Sequence, residues 1–226
     1  MSVSLVITSC NRPNVLQPTL QSFFHFNTYP IKEVIIIDDS GIKGCIDECC
    51  QSIDNSIKTK IIYNEFNIGQ IKSIDIAYSH VTSEYIFHCE DDWLFYKSGF
   101  IEQSLKILEN NDIIICVWLR AYNNFVVTQN GHNVLPKIIN NSYRLMNPRF
   151  KERTNIWMGF TFNPGLRRLS DYKQISPYSQ YMNDEKYGGI VELNLSSKYN
   201  NMNKFAAITL NEEGFVRHIG WDCPIR

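Results

Sequence analysis

The feature that most constrains the fold is an alternation of short apolar runs and helical segments between residue 3 and about residue 110. The apolar runs lie at 3–8, 34–37, 60–63 and 84–89. Their continuous, β-branched character is typical of strands that are buried on both faces. Between the runs, apolar residues recur at helical spacing, and Pro13 stands where a helix can begin. This alternation predicts an α/β domain with a doubly wound, mostly parallel sheet.

The alternation weakens beyond residue 110. We expect one more strand at 113–119, a hairpin around 125–134, a helix over 191–199 and a final strand at 205–210. The segment 166–189 contains Pro177 and two adjacent glycines, and it is predicted to be a mobile loop. We therefore predict a single domain over 1–226, with a regular half at 1–110 and an irregular C-terminal half at 111–226.

Polar clusters follow the predicted strands at the points where they end. The clusters lie at 9–12, 38–40, 64–69 and 90–92. In open parallel sheets, ligands bind beyond the carboxyl ends of the strands. The coincidence of all four clusters with such ends predicts one ligand site that is assembled from four loops.

The cluster at 90–92 consists of three adjacent carboxylates, Glu90, Asp91 and Asp92, between the apolar segments 85–87 and 93–95. Like charges at such a place repel each other and resist desolvation. A hard divalent cation offsets both costs, because it prefers oxygen ligands. The alternative is an acidic turn that is exposed to solvent, although aromatic residues rarely frame such a turn on both sides.

Composition narrows the classes of partner and compartment. The formal net charge is −1, so no basic surplus points to a nucleic acid. The beginning of the sequence lacks the pattern of a secretory signal, and no window has the length of a membrane-spanning helix. The seven cysteines are scattered, and we interpret them as reduced thiols of a cytoplasmic protein. Peripheral contact with a membrane and the oligomeric state are left open.

Four segments together resemble the family-two-type glycosyltransferases of GT-A fold. They are LVITSCNRP at 5–13, IDDS at 37–40, NIG at 67–69 and EDD at 90–92. No single segment is specific, but their order and spacing match the family. The resemblance extends over residues 3–95, and more weakly over 155–221. It implies a GT-A-like fold with a nucleotide-sugar-binding half at 1–110 and an acceptor-binding half at 111–226.

The resemblance implies a set of residues that hold the nucleotide and its diphosphate. These residues are Thr8, Cys10, Arg12, Asp38, Asp39, Asn67, Gly69 and Lys72. A carboxylate accepts strongly from a base imide or a ribose hydroxyl, and Arg and Lys suit phosphate charge. The alternative for Asp38 and Asp39 is a turn or a helix cap. For Arg12 it is a solvated charge at the start of a helix.

The acidic triplet resembles the family's Asp-x-Asp motif, with Glu in the first position. The resemblance implies that Asp92 contacts Mn²⁺ or Mg²⁺, and that Glu90 or Asp91 faces the ribose or a metal-bound water. His218 resembles a late histidine that some members use as an additional metal ligand, which is acceptable for Mn²⁺. The alternative for His218 is a hydrogen-bonded histidine in the core or at an interface.

An inverting member needs a carboxylate base that removes a proton from the acceptor hydroxyl. The segment WMGF at 157–160 resembles the small-residue segment that precedes this base. Among the carboxylates downstream, we choose Glu192 first, then Glu185, then Asp184, with a solvated surface charge as the alternative for each. The loop 166–189 would serve as a lid, in which Arg167 and Arg168 reach the diphosphate. Three tyrosines of that loop would stack on the acceptor: Tyr172, Tyr178 and Tyr181.

The resemblance therefore implies a metal-dependent, inverting enzyme that moves one sugar from a nucleotide-diphosphate donor to a hydroxyl of a glycan or other acceptor. A UDP-sugar is the favoured donor. The sequence lacks the Gln/Arg-x-x-Arg-Trp motif of processive synthases. One alternative is a non-catalytic module of the same fold that binds a nucleotide sugar or a glycan. A sugar nucleotidyltransferase is disfavoured, because residues 9–13 lack a glycine-rich, basic loop.

Overall fold

The structure is a computed structural model that describes residues 1–122, 128–129, 132–133, 137–139, 141–146, 159–182 and 188–221. Its helices are α1 (Pro13–Phe26), α2 (Asp47–Cys50), α3 (Gln70–Ser79), α4 (Phe100–Glu109), α5 (Leu169–Ile175) and α6 (Gly188–Asn201). Strands of the first half are β1 (Val3–Ser9), β2 (Glu33–Asp38), β3 (Lys58–Tyr63), β4 (Tyr85–Glu90), β5 (Trp93–Phe95) and β6 (Ile114–Trp118). Those of the second half are β7 (Thr128–Gln129), β8 (His132–Asn133), β9 (Lys137–Ile139), β10 (Tyr143–Leu145), β11 (Gly165–Arg168), β12 (Phe205–Ile208) and β13 (Val216–His218).

A nine-stranded sheet organises the fold, in the order β3-β2-β1-β4-β11-β6-β12-β10-β9. The pairs β3–β2, β2–β1, β1–β4 and β6–β12 are parallel. β11 is antiparallel to both of its neighbours, β4 and β6, and β10 is antiparallel to β12 and β9. The predicted α/β class with a mostly parallel sheet is thus confirmed.

The strand register places three strand ends at one level. Thr8 lies opposite Glu90 of β4, and Ser9 lies opposite Asp38 of β2. Since these strands are parallel, the loops that follow them emerge from the same edge of the sheet. That edge carries the polar clusters from which the site is built.

Both faces of the sheet are covered, and the core alternates along each strand. Leu5 and Ile7 of β1 pack into one cluster, which is centred on phenylalanines of α1 and α4, while Val6 packs into the cluster on the other face. All seven residues of β1 and all six of β2 are buried. This explains why their sequences are continuous apolar runs rather than alternating ones.

A separate two-stranded sheet joins the end of the described chain to the acidic loop. β13 pairs antiparallel with β5, so that His218 lies opposite Trp93. Because β5 directly follows the acidic triplet, this pairing brings His218 to the same edge of the main sheet. Within the residues that the structure describes, no helix has both the length and the apolar character that a membrane crossing needs.

Several local predictions are wrong. The segment 166–189 is predicted to be a mobile lid, but its described part, up to residue 182, forms β11, α5 and a 3₁₀-helix at Tyr178–Tyr181. Tyr172 and Tyr178 are buried in the core, so they are not placed to stack on an acceptor. Helix α2 is a single turn, whereas the alternation in the sequence predicts a longer helix between β2 and β3. By contrast, the hairpin expected around 125–134 is confirmed, because β7 pairs antiparallel with β8.

The two arginines of that segment are also internal rather than free to reach a diphosphate. Arg167 is 2% exposed, donates to the carbonyl of Thr161 at 3.0 Å, and lies 5.3 Å from the ring centre of Phe160. Arg168 donates to main-chain carbonyls, among them that of Ile114 at 2.7 Å, and pairs with Asp171. Both side chains join structural elements to each other.

Candidate active site

The acidic triplet forms a tight connection between β4 and β5, and helix α1 braces it. The Thr19 hydroxyl donates to the carbonyl of Asp91 at 2.7 Å and accepts from the Trp93 amide at 3.1 Å. Asp91 and Asp92 are 2% and 6% exposed, respectively. The triplet is therefore not the solvent-exposed turn that was the alternative interpretation.

Arg12 bridges the two aspartates. Its Nη1 lies 3.0 Å from Oδ1 of Asp91, and its Nη2 lies 2.8 Å from Oδ2 of Asp92. The Ser9 hydroxyl donates to the other oxygen of Asp91 at 2.9 Å. Burial raises the pKa of Asp91 to about 7, although the charge of Arg12 acts in the opposite direction.

His218 meets Asp92 from the other side. Its Nε2 lies 3.2 Å from the Asp92 oxygen Oδ2, and the amide of Ile219 donates to the Asp92 carbonyl at 2.9 Å. Its ring packs between Trp93 and Trp221, with ring centres at 5.0 and 4.6 Å. The sequence interpretation that brought Asp92 and His218 together as neighbours is consistent with this geometry.

The side chains of Asp92 and His218 offer ligand atoms that fit a divalent cation. Oδ1 of Asp92 and Nδ1 of His218 are buried and have no hydrogen-bond partner among the described residues. A carboxylate oxygen and an imidazole nitrogen are suitable ligands for Mn²⁺. Within the described ranges, no three His, Cys, Asp or Glu side chains could hold an ion by themselves. The remaining ligands would have to come from a bound molecule or from water.

Glu90 is directed away from this pair, towards α3 and β5. It accepts from Nε2 of Gln70 at 2.8 Å and from the Trp93 indole nitrogen at 3.1 Å. Burial, followed by the charge of Asp92, raises the pKa of Glu90 to about 8. Glu90 therefore connects the end of β4 to the start of α3 and to β5.

The two aspartates after β2 are buried and fix the neighbouring loops. Asp38 accepts from the amide of Asn11 at 2.8 Å and from the amide of Ser40 at 3.0 Å. Asp39 accepts from the amides of Ile68 and Gly69 at 2.9 and 2.8 Å. Each carboxylate thus stabilises one wall of the site.

The other predicted donor residues lie around these walls. Thr8 is buried at the end of β1, and Gly69 has φ +93° at the start of α3. Nδ2 of Asn67 lies 3.6 Å from the Cys10 sulfur, and burial raises the pKa of the Cys10 thiol. Lys72 is exposed on α3. The structure thus gathers the predicted residues at one edge of the sheet, while their roles stay predictions.

Glu192 lies in the first part of α6 and reaches the same edge. Its Oε1 accepts from the Phe162 amide at 2.6 Å and from the Thr161 hydroxyl at 2.9 Å. Burial raises the pKa of Glu192, and its charge contributes to the raised pKa of Glu90. The other two base candidates, Asp184 and Glu185, lie outside the described residues.

Sequence reasoning missed several residues of the site. Thr19 and Gln70 hold the acidic triplet through hydrogen bonds, and polarity alone did not distinguish them. Arg120 lies 5.5 Å from the ring centre of Trp93, and its charge interacts with that of Glu90. It directly follows the apolar strand predicted at 113–119, so the rule that selected the other loops would have selected Arg120 as well.

Comparison with known proteins identifies the family. The family described as Glycosyl transferase family 2 matches residues 4–173. The chain belongs to glycosyl transferase family 2. This membership confirms the resemblance that was inferred from the four segments.

One curated relative and three solved structures are also similar to this chain. A protein of Haemophilus influenzae described as an uncharacterized glycosyltransferase is 26% identical over 112 residues, which are 50% of this chain and 34% of that protein. The structure of S. aureus TarS 1-349 with UDP has a TM-score of 0.62 at 15% identity, over 96% of this chain and 60% of that one. The structure of the mannosyltransferase PcManGT of Pyrobaculum calidifontis, with GDP-Man and Mn²⁺, has a TM-score of 0.65 at 14% identity, over 93% of this chain and 55% of that one. The structure of GalNAc-T7 with UDP, GalNAc and Mn²⁺ has a TM-score of 0.66 at 15% identity, over 96% of this chain and 43% of that one.

These structural likenesses establish the GT-A glycosyltransferase fold of this family member. The chain spans about a third of the curated relative and 43–60% of these three solved chains.

Proposed function

We propose that this family 2 chain transfers a single sugar from a nucleotide-diphosphate donor to a hydroxyl group of a glycan or other acceptor. The observation that carries the proposal is the convergence of Arg12, Asp91, Asp92 and His218 at the carboxyl edge of a parallel sheet. In this set the arginine suits the negative charge of a diphosphate, and the carboxylates suit a divalent cation. In this proposal residues 1–110 bind the donor and residues 111–226 bind the acceptor.

The proposed donor is a UDP-sugar. Two of the fold relatives were solved with UDP and one with GDP-Man, which supports a nucleoside diphosphate. In this chain, Asp38 or Asp39 would accept a hydrogen bond from the base or ribose, and Thr8, Cys10 and Asn67 would lie beside the nucleotide. Gly69 and Lys72, at the start of α3, would face the diphosphate, because a helix N-terminus favours negative charge.

Mn²⁺ or Mg²⁺ is the proposed cofactor, and two of the fold relatives were solved with Mn²⁺. Asp92 and His218 would hold the ion, with oxygens of the diphosphate as further ligands. When bound, such an ion neutralises charge on the departing nucleotide. Glu90 and Asp91 would accept hydrogen bonds from the donor ribose or from water at the ion.

Glu192 is the proposed general base of an inverting displacement. Its Oε1 is held by two donors, whereas Oε2 accepts no hydrogen bond from the described residues. Oε2 would take the proton of the acceptor hydroxyl. The raised pKa of Glu192 suits this role, since a base works best when its pKa lies nearer to the working pH. Glu185 and Asp184 remain the second and third candidates.

Thermal unfolding with a panel of nucleotides tests the donor class and the metal together. UDP, GDP, dTDP and CMP would each be added with and without Mn²⁺ to the wild type, Asp92→Ala and the control Asp112→Ala, which removes an exposed carboxylate before β6. At about 100-fold excess over Kd, a ligand stabilises the native state by about 2.7 kcal/mol, which raises Tm by roughly 5–10 °C. We expect this shift with UDP and Mn²⁺ in the wild type and Asp112→Ala only.

The same samples distinguish the alternatives. A Mn²⁺-dependent UDP shift without transfer from any UDP-sugar, and without slow donor hydrolysis, would favour the non-catalytic binding module. No shift with any nucleotide would refute the proposed donor site. Formation of a nucleotide sugar from a sugar phosphate and a nucleoside triphosphate would instead identify a nucleotidyltransferase.

A further inference from the structure

The contact of Arg12 with both aspartates affects how a metal ion and a diphosphate can bind at this site. The Arg12, Asp91 and Asp92 side chains are only 12%, 4% and 9% exposed. Two adjacent carboxylates that are buried to this degree need a nearby cation. In this structure the cation is the guanidinium of Arg12, which contacts both carboxylates at once.

Arg12 and His218 share one acceptor atom. Oδ2 of Asp92 lies 2.8 Å from Nη2 of Arg12 and 3.2 Å from Nε2 of His218. A divalent ion held between Asp92 and His218 would therefore lie close to a guanidinium of the same sign of charge. The two cations repel each other strongly at such distances in a partly dehydrated site. Binding of a metal and the observed position of Arg12 therefore oppose each other.

A bound donor would offer Arg12 a second anion. It is the residue that directly precedes α1, and it follows Asn11, which has φ +51°. The first turn of α1 contains no acidic residue, so the positive end of the helix dipole is not neutralised there. A diphosphate at this loop would be attracted by the helix and could pair with the guanidinium in a bidentate manner.

We infer that Arg12 is an exchangeable internal counter-ion, which neutralises Asp91 and Asp92 in the metal-free protein and transfers to the diphosphate when metal and donor bind. This inference rests on the proposed function and specifies how its site is regulated. It implies that nucleotide and metal bind cooperatively, because the diphosphate removes the cation that opposes the metal. By linkage, each ligand must raise the affinity for the other by the same factor.

Mn²⁺ titration monitored by electron paramagnetic resonance tests the inference without relying on turnover. Kd for Mn²⁺ would be measured with and without UDP, correcting for Mn²⁺–UDP complexes in solution. We expect UDP to tighten Mn²⁺ binding to the wild type by about tenfold or more, which is about 1.4 kcal/mol of coupling. Arg12→Gln should bind Mn²⁺ about tenfold more tightly than the wild type without UDP. UDP should then tighten Mn²⁺ binding about tenfold less than in the wild type, because only the direct ligands from the diphosphate remain.

Two further variants sharpen the result. Arg217→Gln removes an exposed arginine next to His218 and should reproduce the wild-type values. Arg12→Lys keeps the charge but, with a single ammonium group, cannot span both carboxylates as the guanidinium does, so its Mn²⁺ affinity without UDP should be intermediate. If Arg12→Gln does not fold, which circular dichroism would show, Arg12→Lys and the wild-type coupling decide the question.

The outcomes separate this inference from the proposed function. Mn²⁺ affinity that is equal or weaker in both Arg12 variants, or a wild type in which UDP and Mn²⁺ bind independently, would overturn the counter-ion exchange and leave the transferase proposal intact. Absence of Mn²⁺ binding to every protein, with and without UDP, would overturn the inference and the metal dependence together. UDP-induced thermal stabilisation would then show whether the donor site itself survives.

Discussion

Gly220 is the position at which a single added methyl group should disable the metal-ligand candidates. The residue is buried, and its φ lies outside the left-handed region, so its backbone conformation accepts alanine. A Cβ at this position would lie 2.6 Å from Nη2 of Arg12 and 2.7 Å from Cγ of Asp92, and closer still to the Asp92 oxygen Oδ2. Real Cβ atoms do not make contacts this short, so the structure must shift in Gly220→Ala, and the Asp92 side chain holds two of the three nearest atoms.

The size of the effect follows from the contacts that are broken. Relief of the overlap requires Asp92 to move away from Arg12 and His218, which are 2.8 and 3.2 Å from its Oδ2. Loss of a partly buried, charge-assisted hydrogen bond costs about 2 kcal/mol. For a domain of this size, that lowers Tm by about 4–8 °C. The displaced carboxylate should also lose the Mn²⁺-dependent part of the UDP response.

Gly99→Ala is a suitable control. Gly99 directly precedes α4 and has φ +89°, and a Cβ there would meet only the tip of Gln103 at 3.6 Å. Alanine in the left-handed region costs about 1–2 kcal/mol, so this variant also loses stability, but away from the site. Differential scanning fluorimetry with UDP and Mn²⁺ should show a ligand shift in Gly99→Ala and none in Gly220→Ala. An unchanged Mn²⁺-dependent shift in Gly220→Ala would refute the assignment of Asp92 and His218.

Three further predictions address the remaining carboxylates. Glu192→Gln should lower the transfer rate by at least about 100-fold and leave the UDP and Mn²⁺ shifts unchanged; retained activity would move the base assignment to Glu185 or Asp184. The two oxygens of Asp39 accept separately from the Ile68 and Gly69 amides. Asp39→Asn replaces one of these oxygens by a donor and leaves one amide without its acceptor, so urea unfolding should show a loss of about 1–3 kcal/mol. Burial raises the pKa of Glu90 to about 8, so the folded protein holds the Glu90 proton more tightly than the unfolded chain does. The free energy of unfolding, measured in EDTA, should therefore fall as pH rises from about 4.5 to 8. Glu90→Gln should flatten that slope, and an unchanged slope would assign it to other groups.

The regular half of the fold, at 1–110, could be predicted from sequence because its signals are local. The strands β1 and β2 are buried on both faces, so they are continuous apolar runs, and the chain must become polar where they leave the sheet. Parallel strands carry all such ends to one edge. That is why the positions of Arg12, Asp38 and Asp92 along the chain are enough to group them in one site.

The strand β11 could not be predicted in the same way. Its sequence is GLRR, yet it is inserted antiparallel between β4 and β6, with the Arg167 side chain in the core. The guanidinium is accommodated by the carbonyl of Thr161 and by the faces of Phe160 and Phe162. These partners are set by tertiary structure, whereas charge and adjacent glycines in the sequence favour an exposed loop.

His218 depends on long-range structure in a different manner. Nothing in its own segment distinguishes a ligand from a core histidine, and only the resemblance to the family selected it. Its position is set by the pairing of β13 with β5, which begins one residue after Asp92. This pairing of two short strands therefore brings both halves of the candidate metal site together. Since the family match ends at residue 173, this half of the site lies in a part of the chain that the match does not cover. The acidic motif therefore defines where a metal could bind, but the docking of the C-terminal strand decides whether the histidine is present to complete it.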